Sequence, residues 1–226
     1  MQGFEILTLF ISFFVFLFCV YMFSKDDFVL MRKNISLDQI FHLIFLVSLA
    51  SFVGGRVLYA VFTANTSFVN PLILAAFLYY PGFSLAGSIL GGGGGLALLC
   101  YSWNIEKGRV FDIVSLSFLG SFSFVYLPLF FLGSFLKGSW SIAHIIFLLG
   151  SGGLFGVFLR LFLKEKLRDG SVSLGSIGLF SLLASMVVKN EFFILLPIAV
   201  ILLGLLTRQE EFVKKLYPFF KSRTKQ

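Results

Sequence analysis

The chain has 226 residues, of which 58% are hydrophobic and 13% charged, and its mean hydropathy is +0.97. This composition excludes a soluble or disordered protein and is typical of an integral membrane protein. Two cysteines, Cys19 and Cys100, fall in separate apolar runs and predict no disulfide. We expect no cofactor and no metal.

The apolar runs predict an all-α polytopic membrane protein in which residues 1–207 form a single bundle of seven transmembrane helices. A bilayer core requires about 20 apolar residues per helix. The predicted spans cover about 4–24, 40–63, 83–103, 111–136, 141–163, 172–188 and 192–207. Residues 71–80 are too few to cross, so we predict a short interfacial arm over 70–80. Residues 208–226 form a basic tail.

The distribution of lysine and arginine predicts the orientation of the bundle, because basic loops are retained in the cytoplasm. The first, third and fifth connections and the tail hold most of them: Lys25, Arg32, Lys33, Lys107, Arg109, Lys164, Lys166, Arg168, Arg208, Lys214, Lys215, Lys221, Arg223 and Lys225. The opposite side holds only Lys137 and Lys189. The N-terminus is therefore predicted outside and the C-terminus in the cytoplasm. The net charge of +7 then reflects topology and contact with anionic lipid, and we expect no nucleic-acid partner.

Glycine recurs every four residues in the third span, at Gly87, Gly91 and Gly95, and again at Gly152 and Gly156. Small residues at this spacing lie on one helix face and let helix backbones approach closely in lipid. Tight helix packing is one interpretation of the pattern. Contact between a lipid headgroup and exposed backbone is the other.

Arg56 is the main candidate site residue, since an ionisable group inside a span is costly and is retained for a function or a buried partner. A guanidinium in the membrane suits a lipid phosphate, which it can hold by two parallel hydrogen bonds. Tyr59 lies one turn further along the same helix. The structural alternative pairs Arg56 with helix carbonyls or a neighbouring hydroxyl. Asp112, at the start of the fourth span, is predicted to cap a helix by meeting the positive end of its dipole.

The segments around Arg56 carry a resemblance to a known family. They read G-G-R-V-L-Y-A-V-F over 54–62, N-P-L over 70–72 and G-F-S-L-A-G-S-I-L-G-G over 82–92. In order and spacing they resemble the prolipoprotein diacylglyceryl transferases, membrane enzymes of the prokaryotic plasma membrane. The resemblance implies binding of a phosphatidylglycerol-like anionic phospholipid by Arg56, Tyr59, Asn70, Gly87 and Gly91. It also implies a prolipoprotein signal peptide as a second partner.

The family's catalytic residues are not retained. Its reaction moves diacylglycerol to a cysteine thiol, which requires a base, and the departing glycerol phosphate requires cations and hydrogen-bond donors. Ala86 stands where the family has a histidine, and Tyr126, Leu129 and Ser134 replace the arginine, asparagine and glutamate of its signature. The residues therefore favour a phospholipid-binding relative that has lost the reaction.

Two other hypotheses stay open. The chain could retain diacylglyceryl transfer with substitute groups, in which case His144, near the outer end of the fifth span, would be the base beside Arg56. A lone histidine near an interface is, however, usually structural. The chain could instead be a small transporter or an assembly subunit. The spans contain few charges and no paired proline-broken helices, which disfavours transport.

Overall fold

The computed structural model describes residues 2–63, 82–105, 107–136, 142–164, 168–188 and 192–205. Within these ranges the chain is helical and contains no strand. The helices are α1 Gln2–Ser24, α2 Phe28–Arg32, α3 Leu37–Thr63, α4 Leu85–Ser102, α5 Lys107–Ser121, α6 Leu127–Leu136, α7 Ile142–Leu163, α8 Ser171–Ser185 and α9 Phe192–Leu205. A five-residue π-helical segment, Phe122–Tyr126, joins α5 to α6 and is called the π segment below. The predicted arm over 70–80, with Asn70, and the tail over 208–226 lie outside the described residues.

Membrane insertion is confirmed by the length and composition of the helices. Four described stretches are long and apolar enough to cross a bilayer: Leu37–Phe62, Leu85–Ser102, Lys107–Leu129 and His144–Leu163. Three shorter apolar helices, Phe10–Ser24, Ser171–Ser185 and Phe192–Leu205, coincide with the remaining predicted spans. The all-helical membrane fold is thus confirmed, while the count of seven spans stays a prediction.

Helix α5 forms the centre of the bundle. In the span that begins with it, 71% of the most apolar window is buried inside the protein, against 22% in each of the other three candidate spans. It contacts α1, α4, α7 and α8. A helix surrounded in this way must present side chains that fit its neighbours on every face. Helix α5 accordingly buries three serines and Gly120 together with the larger Ile113, Leu116 and Leu119.

The peripheral helices expose continuous apolar faces. On α1, Phe10, Phe14 and Phe18 recur every four residues and are each about 60% exposed, and α3 exposes Val53 and Val57 at the same spacing. Soluble proteins rarely leave apolar faces of this length uncovered. The exposed faces are therefore the surfaces that meet lipid.

Helices α3 and α4 form the most extensive helix pair in the described part of the chain, and glycine creates it. A Cβ at Gly54 would lie 2.6 Å from the carbonyl oxygen of Gly87 and 2.8 Å from the Cα of Gly91. A Cβ at Gly91 would lie 2.5 Å from the carbonyl oxygen of Ala50. The two backbones are therefore in direct contact, which only residues without side chains permit.

The glycines at the same spacing in α7 are not in close contact with another described helix. A Cβ at Gly152 or Gly156 of α7 would meet nothing within 4 Å, and the same holds for Gly153. The spacing is the same as in α4, but no described helix lies against it. Spacing identifies a face that could pack closely and does not identify what it packs against.

Alanine substitutions on opposite faces of α4 should therefore have opposite effects. We expect Gly87→Ala to lower the free energy of unfolding by about 1–3 kcal/mol, because the new methyl group overlaps the Gly54 carbonyl. Gly93→Ala on the open face should raise it by up to about 1 kcal/mol through helix propensity. Thermal unfolding of the detergent-solubilised protein measures both. Equal effects at the two positions would show that the α3–α4 contact is not close.

Candidate functional site

Arg56 lies in the second half of α3 and is 1% exposed, the largest fully buried side chain in the described part of the protein. Its Nη1 donates a hydrogen bond of 2.6 Å to the carbonyl oxygen of Gly82, which precedes α4. Burying a cation in a membrane span is costly, so its hydrogen bonds determine whether the fold tolerates it. The structure thus places Arg56 at the junction of α3 with the chain entering α4.

Tyr59 and Gly82 form one side of this junction. Gly82 has φ +149°, a conformation that favours glycine, and a Cβ on it would overlap the ring of Tyr59. Tyr59 follows Arg56 by three residues on α3, so both side chains reach the same segment. Glycine at 82 therefore serves two purposes: it permits the backbone turn and gives the tyrosine ring access to the backbone.

Short polar contacts fix the start of α4 beside Arg56. The N–H of Ser84 donates to the carbonyl oxygen of Gly55 at 3.1 Å, and the hydroxyl of Ser51 donates to the carbonyl oxygen of Ser88 at 3.0 Å. Ser84 is also the N-cap of α4, since its Oγ accepts from the N–H of Gly87 at 3.1 Å. These bonds hold Gly82 within reach of the guanidinium.

The other residues assigned to this site lie deeper between the two helices. Gly87 faces Gly54 and Gly91 faces Ala50, both across the α3–α4 contact. Their position is that of packing residues, and the facing backbone of α3 occupies the space beside them. Asn70, the remaining member of the set, is outside the described residues.

Ala86, which replaces the histidine of the resembling family, is fully buried in an apolar cluster. The cluster includes Leu119, Phe131 and Phe180. A base that takes a proton from a thiol must reach a polar reaction centre. The methyl group of Ala86 has no titratable atom, so this position itself supplies no base.

His144 lies in the first turn of α7 and packs edge-on against Phe131, with ring centroids 5.4 Å apart. Its Nδ1 is buried and makes no hydrogen bond within the described residues. Through Phe131 the imidazole lies next to the cluster that holds Ala86. His144 therefore borders the cluster that contains Ala86, from another helix.

A second group of charged residues lies where α1 and α2 meet α5, and the sequence analysis did not predict it. Asp27 Oδ2 accepts from Nη2 and Nε of Arg109 at 2.7 and 2.8 Å, and both side chains are almost fully buried. Asp27 Oδ1 caps α2 by accepting from the N–H groups of Val29 and Leu30. The guanidinium of Arg109 lies 4.0 Å from the ring centroid of Phe162. Arg109 was interpreted only as a topology-determining cation. The available signal was the acidic pair Asp26 and Asp27 in a connection otherwise rich in lysine and arginine.

Asp112 caps α8 and not its own helix, so the predicted capping of its own span is wrong: α5 begins at Lys107, and Asp112 lies beyond its first turn. Its carboxylate accepts from the N–H of Gly170 at 2.8 Å and from the N–H of Ser173 at 2.7 Å. These are among the first backbone donors of α8, which have no partner within that helix. Asp112 therefore joins α5 to α8, a connection between residues about 60 positions apart that a local pattern cannot indicate.

Comparison with models of known protein families, with curated proteins and with solved structures finds no match for this chain. The relationship to the diacylglyceryl transferases is therefore carried by the residues quoted above alone and stays a prediction.

The Asp27–Arg109 pair should respond to substitution as a buried ion pair. Asp27→Asn keeps an oxygen to cap α2 but leaves the guanidinium without its counter-charge, and we expect a loss of about 3 kcal/mol of unfolding free energy. The double variant Asp27→Asn with Arg109→Met removes the buried charge and should recover part of that loss. Chemical denaturation in detergent measures both. A double variant as unstable as the sum of the single variants would contradict a direct interaction.

Proposed function

We propose that the chain is a multi-pass membrane protein that binds an anionic phospholipid at Arg56, and that it is a relative of the prolipoprotein diacylglyceryl transferases without their reaction. The bundle has seven spans, with its N-terminus outside and its C-terminus in the cytoplasm of a prokaryotic cell. The phosphate of a phosphatidylglycerol-like lipid contacts the guanidinium, and Tyr59 orients the headgroup.

One observation carries this proposal: a fully buried arginine in a candidate membrane span, held on the backbone carbonyl of Gly82. A guanidinium presents five N–H donors in one plane, so it can hold the Gly82 oxygen and a phosphate oxygen together. A phosphate carries the opposite charge and accepts two parallel hydrogen bonds from a guanidinium, which a backbone carbonyl cannot do. A lipid phosphate therefore adds a counter-charge that offsets the cost of burying this arginine.

Two features favour binding over catalysis. The cluster around Ala86 supplies no base, and position 129 of the expected signature is a leucine in place of asparagine. Transfer of diacylglycerol needs groups that stabilise the departing glycerol phosphate as well as a base. Arg56 alone can bind the phosphate but cannot accept the proton from a thiol.

Substitution of Arg56 tests the binding proposal. We expect Arg56→Ala to reduce the phosphatidylglycerol that co-purifies with the protein by at least about tenfold, which corresponds to about 1.4 kcal/mol of binding free energy. Lipid extracted from the purified protein is quantified by mass spectrometry. The matched control is Arg160→Ala, which removes an arginine from the exposed last turn of α7 and should leave the lipid content unchanged.

Arg56→Lys separates binding from folding, because lysine retains a cation that can reach the Gly82 carbonyl but lacks the planar fork. We expect a folded protein with intermediate lipid content. If Arg56→Ala and Arg56→Lys both fold and both retain the wild-type amount of phosphatidylglycerol, Arg56 is a structural residue and the proposal is wrong.

An active transferase is the second candidate, and the position of His144 favours it. Its buried Nδ1 makes no bond within the described residues, and its ring lies beside the Ala86 cluster. The chain, reconstituted with phosphatidylglycerol and a lipobox peptide, would then add a diacylglyceryl mass to the peptide cysteine. We expect no added mass. An added mass that disappears in His144→Ala would establish catalysis and reject the loss of the reaction.

The proposed orientation is testable with single cysteines. Arg32, just before α3, and Val61, in its last turn, are exposed near opposite ends of this helix. A membrane-impermeant maleimide applied to intact cells should label Val61→Cys and leave Arg32→Cys unlabelled until the membrane is opened. The native chain, in which Cys19 is partly buried and Cys100 is buried, measures the labelling that occurs without an added cysteine. The reverse labelling pattern would invert the topology.

A further inference from the structure

The π segment interrupts the hydrogen bonds of the central helix, which runs from α5 into α6. The N–H of Leu127 donates to the carbonyl oxygen of Phe122, whereas in an α-helix it would donate to the carbonyl oxygen of Ser123. The next residue, Pro128, has no N–H and cannot donate to that oxygen either. The carbonyl oxygen of Ser123 therefore has no donor at either of the two helical spacings.

The hydroxyl group of Ser123 also lacks a partner. Ser123 is 2% exposed, and its Oγ makes no hydrogen bond within the described part of the chain. The residue lies in the candidate span Lys107–Leu129, and the bilayer core supplies no water to a buried polar group. Leaving such a group unpaired is costly. Both oxygens of Ser123 therefore require a hydrogen-bond partner from outside the helix.

Two ring contacts show that Ser123 faces α7. Phe122 contacts Phe147 with ring centroids 6.1 Å apart, and Phe124 contacts Phe155 with ring centroids 5.4 Å apart. Ser123 lies between the two phenylalanines of its own segment, both along the helix and around its axis. Its side chain is therefore directed at the part of α7 that lies between Phe147 and Phe155.

Ser151 is the polar residue of α7 at this level. It lies four residues after Phe147 and four before Phe155, so it shares their helix face. Ser151 is fully buried, and its hydroxyl donates to the carbonyl oxygen of Leu148 at 3.0 Å, which leaves Oγ free to accept. The hydroxyls of Ser123 and Ser151 thus face each other without a direct hydrogen bond. Polar groups separated in this way are commonly bridged by water.

The hydrogen-bonding groups at this point select the ligand. The carbonyl oxygen of Ser123 and Oγ of Ser151 can only accept, whereas the hydroxyl of Ser123 can donate. The ligand must therefore donate twice and accept once, in a space bordered by small side chains. Water meets these requirements, and a buried water typically makes about three hydrogen bonds. The two serines carry no charge, so a cation at this point would lack a counter-charge.

We propose that the π segment binds one ordered water molecule between Ser123 and Ser151. The water donates to the carbonyl oxygen of Ser123 and to Oγ of Ser151, and it accepts from the hydroxyl of Ser123. It thereby replaces the bonds that the π turn and Pro128 remove, and it joins the central helix to α7. Ordered water is one of the means by which membrane helices tolerate proline. Neither serine belongs to the Arg56 site.

Hydroxyl-radical footprinting of the full chain in lipid nanodiscs tests for this water. Radicals made by X-ray radiolysis of a bound water oxidise the side chains beside it, including those that bulk solvent does not reach. Phe147, one turn from Ser151, is 4% exposed, and Phe158, further along α7, is 7% exposed. We expect oxidation of Phe147 to be severalfold higher than that of Phe158, measured by mass spectrometry of the digested protein.

Two substitutions each remove one hydrogen bond of the water. Ser123→Ala deletes the hydroxyl, and Pro128→Ala supplies an N–H that can donate to the carbonyl oxygen of Ser123. Both should lower the oxidation of Phe147 severalfold. Their effects on stability differ: Ser123→Ala should lower the folding equilibrium constant by about fivefold, the effect of one neutral hydrogen bond. Pro128→Ala should raise it, because a helical bond replaces the bond to water.

Ser117→Ala is the matched control. Ser117 is a fully buried serine of the same central helix, and its Oγ also makes no hydrogen bond within the described residues. It lies in α5, however, where the backbone keeps its α-helical hydrogen bonds. This variant should leave the oxidation of Phe147 unchanged. Thermal unfolding establishes that each variant is folded before it is irradiated.

Three results would overturn the proposal. The first is oxidation of Phe147 in the wild type that does not exceed that of Phe158. The second is a folded Ser123→Ala or Pro128→Ala variant that keeps the wild-type oxidation of Phe147. The third is loss of the oxidation when sodium in the buffer is replaced by choline, since the site would then hold a hydrated cation.

Discussion

The direct backbone contact between α3 and α4 is the constraint on which the rest of the structure depends. Lipid supplies no hydrophobic force between helices, so association within a bilayer relies on close packing and on hydrogen bonds. Gly54, Gly87 and Gly91 bring the two backbones together. That distance in turn lets Arg56 reach the carbonyl oxygen of Gly82 and lets Ser51 reach that of Ser88. The Arg56 site is therefore a consequence of this contact.

The two ends of the bundle are stabilised by different chemistry. At the Arg56 end a buried cation is held on backbone oxygen, whereas at the other end a carboxylate and a guanidinium neutralise each other and stack on Phe162. Asp27 and Asp112 each cap a helix while linking two parts of the chain. A buried charge with several hydrogen bonds restricts how helices can rotate, so these acids fix the arrangement of α2, α5 and α8 more than they add to stability.

Local sequence patterns predicted where the helices lie but not which residues they contact. Each predicted span coincides with an apolar helix, because hydrophobic length is a property of one segment. The spacing of Gly87 and Gly91 likewise predicted a close-packing face. The same spacing at Gly152 and Gly156 lies against no described part of the chain, and Arg109, which was predicted only to set the topology, is paired with an acid 82 residues away. Arg56 was identified as a site residue, but its acceptor at Gly82 depends on the packing of two helices.

The π segment also affects how this chain can be matched with others. A π turn takes one residue more than an α turn, so the helix that contains it behaves as if one residue had been inserted. From Leu127 onwards every side chain is rotated by about 100° relative to an uninterrupted α-helix. Residues 125–134, where the transferase signature was sought, begin inside this segment. In a relative with a regular α-helix, the residues at the same sequence positions would face another direction. Side chains in this stretch are therefore equivalent when they occupy the same helix face, and their sequence positions then differ by one.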